Sequence, residues 1–218
     1  MAAHVRNPKF NVDLGDLFPP RPGTPSEAGW GRFVDLMREG GVGILPTDTV
    51  YGLHSRWDHS GARYRILRLK GRPAGSSLLC LINSMEMLEW VASPPQTPLF
   101  QKLKGYWPGA LTMILPAGPA APPAVQTNGT VAVRWPDDPF LNRLVEDIGV
   151  PLLSSSANPS GREPATTIQE ISENWKSQVD AIIDGGPRTR PPSTLIRVPT
   201  VGRIDILRQG DIKIEFDG

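Results

Sequence analysis

The stretch GGVGILPTDTVYGL, residues 40–53, sets the apolar run Val42-Gly43-Ile44-Leu45 directly against a segment holding two threonines, an aspartate, a tyrosine and a glycine. A short apolar run bounded by Gly-Gly on one side and proline on the other reads as a buried strand. Just before it, Trp30, Phe33, Val34 and Met37 fall at helical spacing and outline an amphipathic helix that Gly40-Gly41 ends. Helix, strand and polar loop in that order are the repeating unit of a layered α/β chain. At the carboxyl end of such a strand, where open α/β sheets collect ligands, Thr47 and Thr49 can donate to a carboxylate or phosphate. The same threonines and Asp48 can instead close a turn by bonding their own backbone. The stretch alone leaves both readings open.

Outward from this unit the alternation continues. Helices are expected at Ala62–Leu69, Ser84–Val91, Leu99–Tyr106 and Pro139–Ile148, and from Thr167 onward. Strands are expected at Leu78–Ile82, Leu111–Leu115, Val131–Arg134, Pro151–Ser154, Val179–Ile183, Thr194–Val198 and Ile204–Leu207. The pattern gives an α/β (α+β) fold on a mixed sheet. Residues 1–25, rich in proline and ending in PPRPGTP, show neither periodicity and are expected to form a flexible amino-terminal arm; residues 26–218 are expected to form one domain. Glycine and proline, 22 and 24 residues, punctuate the chain into short elements.

Bulk composition excludes several classes. With 218 residues, 39% of them hydrophobic, the chain can bury a sizeable core. A formal charge of +1 gives no global attraction to nucleic acid or anionic membrane, so any anion site must be local. Cys80 is the only cysteine, which rules out an internal disulfide and any multi-cysteine metal site. His4, His54 and His59 show no paired metal spacing. No apolar run approaches the roughly 20 residues of a membrane span, and the start has no signal-like stretch. The expectation is a soluble cytoplasmic protein.

Three further segments carry chemistry. Leu69-Lys70-Gly71-Arg72-Pro73 places two cations at the end of a helix, where Lys70 is an ordinary partner for the helix dipole but Arg72 lies past the end. An ammonium beside a planar guanidinium suits a polyphosphate. Leu152-Leu153-Ser154-Ser155-Ser156-Ala157-Asn158-Pro159-Ser160-Gly161 repeats the order of apolar strand and hydroxyls, and two other strands end in arginine, at Arg134 and Arg208. Together these make a hydroxyl-lined, cationic cleft without a nucleophile or catalytic histidine. Neither GxxxxGK[ST] nor a strand-GxGxxG-helix occurs, so no nucleotide is held by those glycine loops.

In order, PTDTVYGL, LKGRP, WPGALT (107–112), TVAVRWPDDP (130–139), SSSANPSG, DGG (184–186), STLI (193–196) and ILRQG resemble the motif string of the YrdC-like threonylcarbamoyl-adenylate synthases. The likeness runs from about residue 27 to 212. It implies a twisted mixed sheet with flanking helices and a large, concave, positively charged cavity. It also implies formation of threonylcarbamoyl-AMP and pyrophosphate from L-threonine, bicarbonate or CO2, and ATP with Mg2+, a nucleotidyltransferase reaction that feeds modification of tRNA adenosine 37. Matched by motif, Thr49, Arg134, Ser156 and Ser193 bind threonine. Arg72, Thr130, Asn158, Thr166 and Arg208 bind ATP, with Lys70 and Arg72 at the phosphates as the catalytic pair. No metal ligand is implied, Mg2+ being carried by the ATP phosphates. Partners implied are the proteins that transfer the product to tRNA, with a weak tRNA or double-stranded RNA contact and no membrane. The chain departs from the family pattern at Ser76, Ser77, Leu81 and Pro192, positions that bear on phosphate contact and acceptor choice. Two alternatives stand beside this reading: a related domain handling another carbamoyl adenylate, and an RNA-binding paralogue without the activity.

Overall fold

In a computed structural model of the protein, residues 8–18, 25–199 and 204–214 are described. In chain order the elements are β1 (Phe10–Asp13), α1 (Leu14–Leu17), α2 (Pro25–Arg38), β2 (Gly43–Leu45), β3 (Gly52–Arg56), α3 (Ser60–Leu69), β4 (Leu79–Leu81), α4 (Met85–Val91), α5 (Pro98–Leu103), β5 (Leu111–Pro116), β6 (Thr130–Arg134), α6 (Pro139–Ile148), β7 (Leu152–Ser156), α7 (Glu173–Lys176), β8 (Ala181–Asp184), β9 (Thr194–Arg197) and β10 (Asp205–Arg208). The strands join in one ten-stranded twisted sheet, in the order β1-β8-β2-β3-β7-β4-β6-β5-β9-β10. Its pairing is mixed: β1, β8 and β2 run parallel, β3 is antiparallel to both β2 and β7, β7 is antiparallel to β4, and β4 with β6 and β5 with β9 are again parallel pairs. This is the α/β (α+β) mixed-sheet class expected.

Local chemistry explains where the elements begin and end. Asp138 caps α6, accepting from Leu141 N at 2.9 Å with Pro139 following, and Gly149 closes the helix at φ +79°. Along α6, Phe140, Leu141, Leu144, Val145 and Ile148 form one buried stripe that packs on α2. Helix α3 opens with the His59 side chain accepting from Ala62 N and closes on Gly71 at φ +65°. There Arg72 N reaches back to Leu67 O and Gly71 N to Arg68 O, a paired closure that needs the left-handed residue glycine supplies. That turn fixes the chain direction at Arg72.

The sequence reading requires correction in three places. The stretch 1–25 was expected to lack secondary structure, yet Phe10–Asp13 pairs in parallel with β8 and Leu14–Leu17 is helical. Aromatic burial is the cause: Phe10 packs on Phe33 at 5.5 Å between centroids, and Phe18 packs on Trp30 and Phe140 at 5.5 and 5.9 Å. Residues 1–7 and 19–24 of the expected arm lie outside the described residues. Second, Gly52–Leu53 already belong to β3, a strand the sequence reading treated as loop. Third, the helix expected from Thr167 is replaced by a turn in which Thr166 N and Oγ1 both donate to the Glu170 carboxylate, and only Glu173–Lys176 is helical. Among the described residues, no helix is long and apolar enough to cross a membrane.

Cross-strand partners share a sheet face, so register alone identifies one face. Gly52 pairs with Ser156, His54 with Ser154 and Leu79 with Ser154; Arg134 pairs with Leu81, Thr112 with Leu195 and Arg208 with Leu195. Glycine, hydroxyl and arginine positions from five strands therefore lie on one side of the sheet.

Candidate active site

On that side is a cavity of about 220 Å³ whose wall includes Thr49, Arg72, Arg134, Ser154, Ser156, Ser193 and Arg208, and no carboxylate. A larger concavity of about 740 Å³ lies between β1 and α2, but its wall carries charges of both signs and none of the predicted residues. The smaller cavity is therefore the candidate site.

The loop after β2 divides the two readings of its residues between them. Thr47 makes the turn: its Oγ1 accepts from Thr49 N and Val50 N and donates to Val50 O at 2.7 Å. Thr49 and Asp48 are thereby turned toward Arg134, whose Nη1 donates to Thr49 Oγ1 at 3.1 Å and Nη2 to Asp48 Oδ1 at 2.6 Å. Arg134 Nε donates to Gly109 O at 3.1 Å. A guanidinium has five N–H donors; these three bonds leave two for a ligand. The Arg134 and Asp48 side chains are 5% and 7% exposed, so the ion pair is buried. Burial pushes the Arg134 pKa down while Asp48 opposes the shift. Sequence reasoning treated Asp48 only as a turn former, and its role in aiming Arg134 was missed. The available signal was an acidic residue flanked by two threonines at a strand end in a chain with a strand-terminal arginine to match it.

Lys70 is the C-cap of α3 and only 5% exposed. Its Nζ donates to Ser156 O at 2.6 Å and approaches Ser156 Oγ and Asn158 Oδ1 at 3.4 and 3.3 Å, tying α3 to the SSSAN segment. Burial first, then the nearby Arg72, pushes its pKa down to about 8. Arg72 is half-buried on the cavity wall, and among the described residues it has no side-chain hydrogen bond or ion pair. Arg208 holds Ser193 through Nε to its carbonyl at 3.0 Å and Nη2 to its Oγ at 3.2 Å. Thr112 Oγ1 meets Ser193 Oγ at 2.7 Å.

Thus Thr49, Arg134, Ser156 and Ser193 line one cavity together with Arg72 and Arg208, and Lys70 and Asn158 stand directly behind Ser156. Besides Lys70 and Asn158, two further predicted residues are off the wall. Thr130 is on the cavity face of β6 but at the strand's other end, its Oγ1 bonded to Thr127 O at 2.8 Å. Thr166 has its hydroxyl on Glu170 and its carbonyl accepting from Arg188 N. Of the departures, Pro192 lines the cavity, whereas Leu81 is 1% exposed in the core and Ser76 turns back on Pro73 O.

Tyr51 and Ser154 are among the wall residues given no role from sequence. The ring of Tyr51 lines the cavity while its hydroxyl donates to Gly186 O at 2.8 Å and accepts from Gly185 N at 2.9 Å, anchoring the DGG turn. Ser154 lines the wall above the fully buried His54.

Comparison with known proteins converges on one group. The Sua5/YciO/YrdC family pattern, described as telomere recombination, matches residues 35–210. A Bacillus subtilis threonylcarbamoyl-AMP synthase is 37% identical over 154 residues, 70% of this chain and 44% of its own length. A Pseudomonas aeruginosa threonylcarbamoyl-AMP synthase is 34% identical over 170 residues, 78% of this chain and 91% of its own. The crystal structure of Pyrococcus abyssi Sua5 complexed with L-threonine superposes with a TM-score of 0.77 at 33% identity, covering 92% of this chain and 57% of that one. This chain spans about half the length of the first two curated relatives it matches, 44% and 53%. With the family pattern covering 176 residues (35–210) of 218, the chain belongs to the Sua5/YciO/YrdC family.

Proposed function

We propose that this protein is an L-threonylcarbamoyladenylate synthase, joining L-threonine, CO2 or bicarbonate, and ATP into threonylcarbamoyl-AMP and pyrophosphate. The observation that carries the proposal is a small cavity in which an arginine with two unspent donors, hydroxyls from several chain segments and two further arginines meet. About 220 Å³ is below the roughly 300–1,000 Å³ of pockets for drug-sized ligands, which suits an amino acid and its carbamate; the nucleotide then extends outward over Arg72 and Arg208.

Each group has a task. Arg134 takes the threonine carboxylate through its free N–H pair, with Thr49 and Ser193 beside it. The threonine amine loses a proton and bonds to carbon of CO2, giving a carbamate. A carbamate oxygen then bonds to the α-phosphorus of ATP as the bridging bond to pyrophosphate breaks, and pyrophosphate leaves with that electron pair. Arg72 and Lys70 stabilise charge growing on the phosphates, which in phosphoryl-type transfer supplies most of the acceleration beyond placement. Thr130, Asn158, Thr166 and Arg208 belong to the nucleotide side of this reading. Among the described residues no group of three or more His, Cys, Asp or Glu side chains is placed to hold a metal ion. Mg2+ would arrive with the ATP phosphates, keeping its own waters. The product passes to proteins that load it onto tRNA in the cytoplasm.

The test is pyrophosphate release from ATP with L-threonine and bicarbonate, omitting each in turn and substituting L-serine. Dependence on all three supports the synthase. ATP binding without threonine-dependent release overturns it in favour of another acceptor, and salt-sensitive RNA binding without release points to the RNA-binding alternative.

A further inference from the structure

His54 has no part in the chemistry above, yet it is a fully buried polar residue on the cavity face of the sheet. Its Nδ1 is 3.1 Å from Gly52 O and its Nε2 is 3.2 Å from Ser154 Oγ. A carbonyl oxygen only accepts, so Nδ1 carries the ring proton. Burial, reinforced by nearby Arg134 and opposed by the Gly52 carbonyl, pushes the His54 pKa down to about 4, so the ring is neutral. Nε2 of a neutral ring with hydrogen on Nδ1 is an acceptor, and the bond between it and Ser154 is made with the serine proton. Gly52 is what makes this arrangement fit: a Cβ there would stand 2.6 Å from His54 Cε1.

The result sets Ser154 apart from its neighbours, whose oxygens accept from cations. Thr49 Oγ1 accepts from Arg134, Ser193 Oγ from Arg208 and Ser156 Oγ from Lys70. Each of these three oxygens already accepts from a cation, and Thr49 and Ser193 also bond a neighbouring hydroxyl, Thr47 Oγ1 at 3.0 Å and Thr112 Oγ1 at 2.7 Å. Ser154 has given its hydrogen to His54, and what it presents to the cavity is lone pairs. A wall of arginines is suited to the anionic parts of a ligand, whereas an amino acid also brings donors, its amine and, in threonine, a hydroxyl.

We propose that Ser154, polarised by His54, is the acceptor that takes a hydrogen-bond donor of the amino-acid substrate, and that His54 is a positioning residue fixing the substrate's orientation against Arg134. The inference rests on the amino-acid reading of the cavity given above. It assigns the pair a specificity role: the carboxylate goes to Arg134 and a donor group to Ser154.

The experiment measures pyrophosphate release and calorimetric threonine binding for wild type, Ser154→Ala, His54→Gln and His54→Asn. Loss of a hydrogen bond to a substrate donor is expected to raise the KM and Kd for L-threonine about tenfold in Ser154→Ala, with the KM for ATP unchanged. His54→Gln, whose amide oxygen can still accept from Ser154, should retain more threonine affinity than His54→Asn, which is too short to reach it. Repeating the titration with L-2-aminobutyrate separates the two donors. If the penalty of Ser154→Ala vanishes with this ligand, the hydroxyl is the donor held; if it persists, the amine is. A folded Ser154→Ala protein with threonine KM and Kd within twofold of wild type overturns the inference. Wild type without threonine-dependent release overturns the functional reading itself, a separate and distinguishable result.

Discussion

Arg134 and Arg72 face the same cavity in opposite conditions. Arg134 is 4% exposed and commits Nε, Nη1 and Nη2 to Gly109, Thr49 and Asp48 before any ligand arrives. Arg72 sits half-buried after a glycine-closed helix end, with all its donors unspent. A guanidinium locked in place loses little freedom on binding and recognises one geometry, which suits a small carboxylate. An unpaired guanidinium offers full charge, which suits phosphate. On the proposed function, the contrast separates a rigid amino-acid end from an open nucleotide end.

Arg134→Ala is expected to have the largest effect. It leaves the Asp48 carboxylate buried without its cation, and Asp48 Oδ2 already has no hydrogen-bond partner. Breaking a buried pair on one side costs about 3–5 kcal/mol, to be read from urea unfolding. A loss below about 1 kcal/mol would mean that Asp48 swings out to water, and the rigid end would lose its distinction. Arg72→Ala should do the reverse: stability within about 0.5 kcal/mol of wild type, but pyrophosphate formation down by about 10²–10³-fold. Wild-type turnover in that variant would remove Arg72 from the phosphate site.

The two ends were unequally legible in the sequence. Arg72 was visible because Gly71 and Pro73 frame it past a helix end, where the helix-dipole role open to Lys70 applies less readily. Arg134 was visible as a strand-terminal arginine, but its lock was not, because Asp48 is 86 residues away and local pattern carries no information about such pairing. Strand β3 was missed for a related reason. It is buried almost throughout, so period-two alternation, the signal of a half-exposed strand, is absent. Its glycine and histidine gave no β propensity to compensate. The short β1 depended on Phe10 finding Phe33, again a tertiary event. By contrast α6 was readable end to end, since an Asp-Pro start, an unbroken apolar stripe and a glycine stop all agree.

Lys70 lies between the two conditions, buried like Arg134 but adjacent to Arg72. Its pKa of about 8 in the free protein is held down by burial and by a neighbouring cation. Bound phosphates supply opposite charge and push it back up, so ATP binding takes up a proton wherever Lys70 is neutral in the free protein. Affinity is therefore full below pH 8 and falls as pH rises through it. Between pH 7.5 and 9 the Kd for ATP should rise by up to about tenfold, and Lys70→Met should flatten this slope. A slope that is unchanged in Lys70→Met would show that another group titrates, and would take Lys70 away from the phosphates.

Tyr51→Phe asks how much of the open end is organised in advance. The Tyr51 hydroxyl, its pKa pushed up to about 12 chiefly by burial, remains a donor at any working pH and holds the DGG turn through Gly186 O and Gly185 N. Phenylalanine keeps the ring, and with it the Arg188 guanidinium stacked 5.9 Å from the centroid, while removing the tether. The expected cost is about 1 kcal/mol of stability, read by thermal unfolding, with a modest rise in the KM for ATP and none in that for threonine. A change confined to the threonine KM would place the DGG turn with the rigid end instead. No change in either would mean that the Gly186 N to Asp184 Oδ1 bond holds the turn alone, leaving Tyr51 as cavity wall.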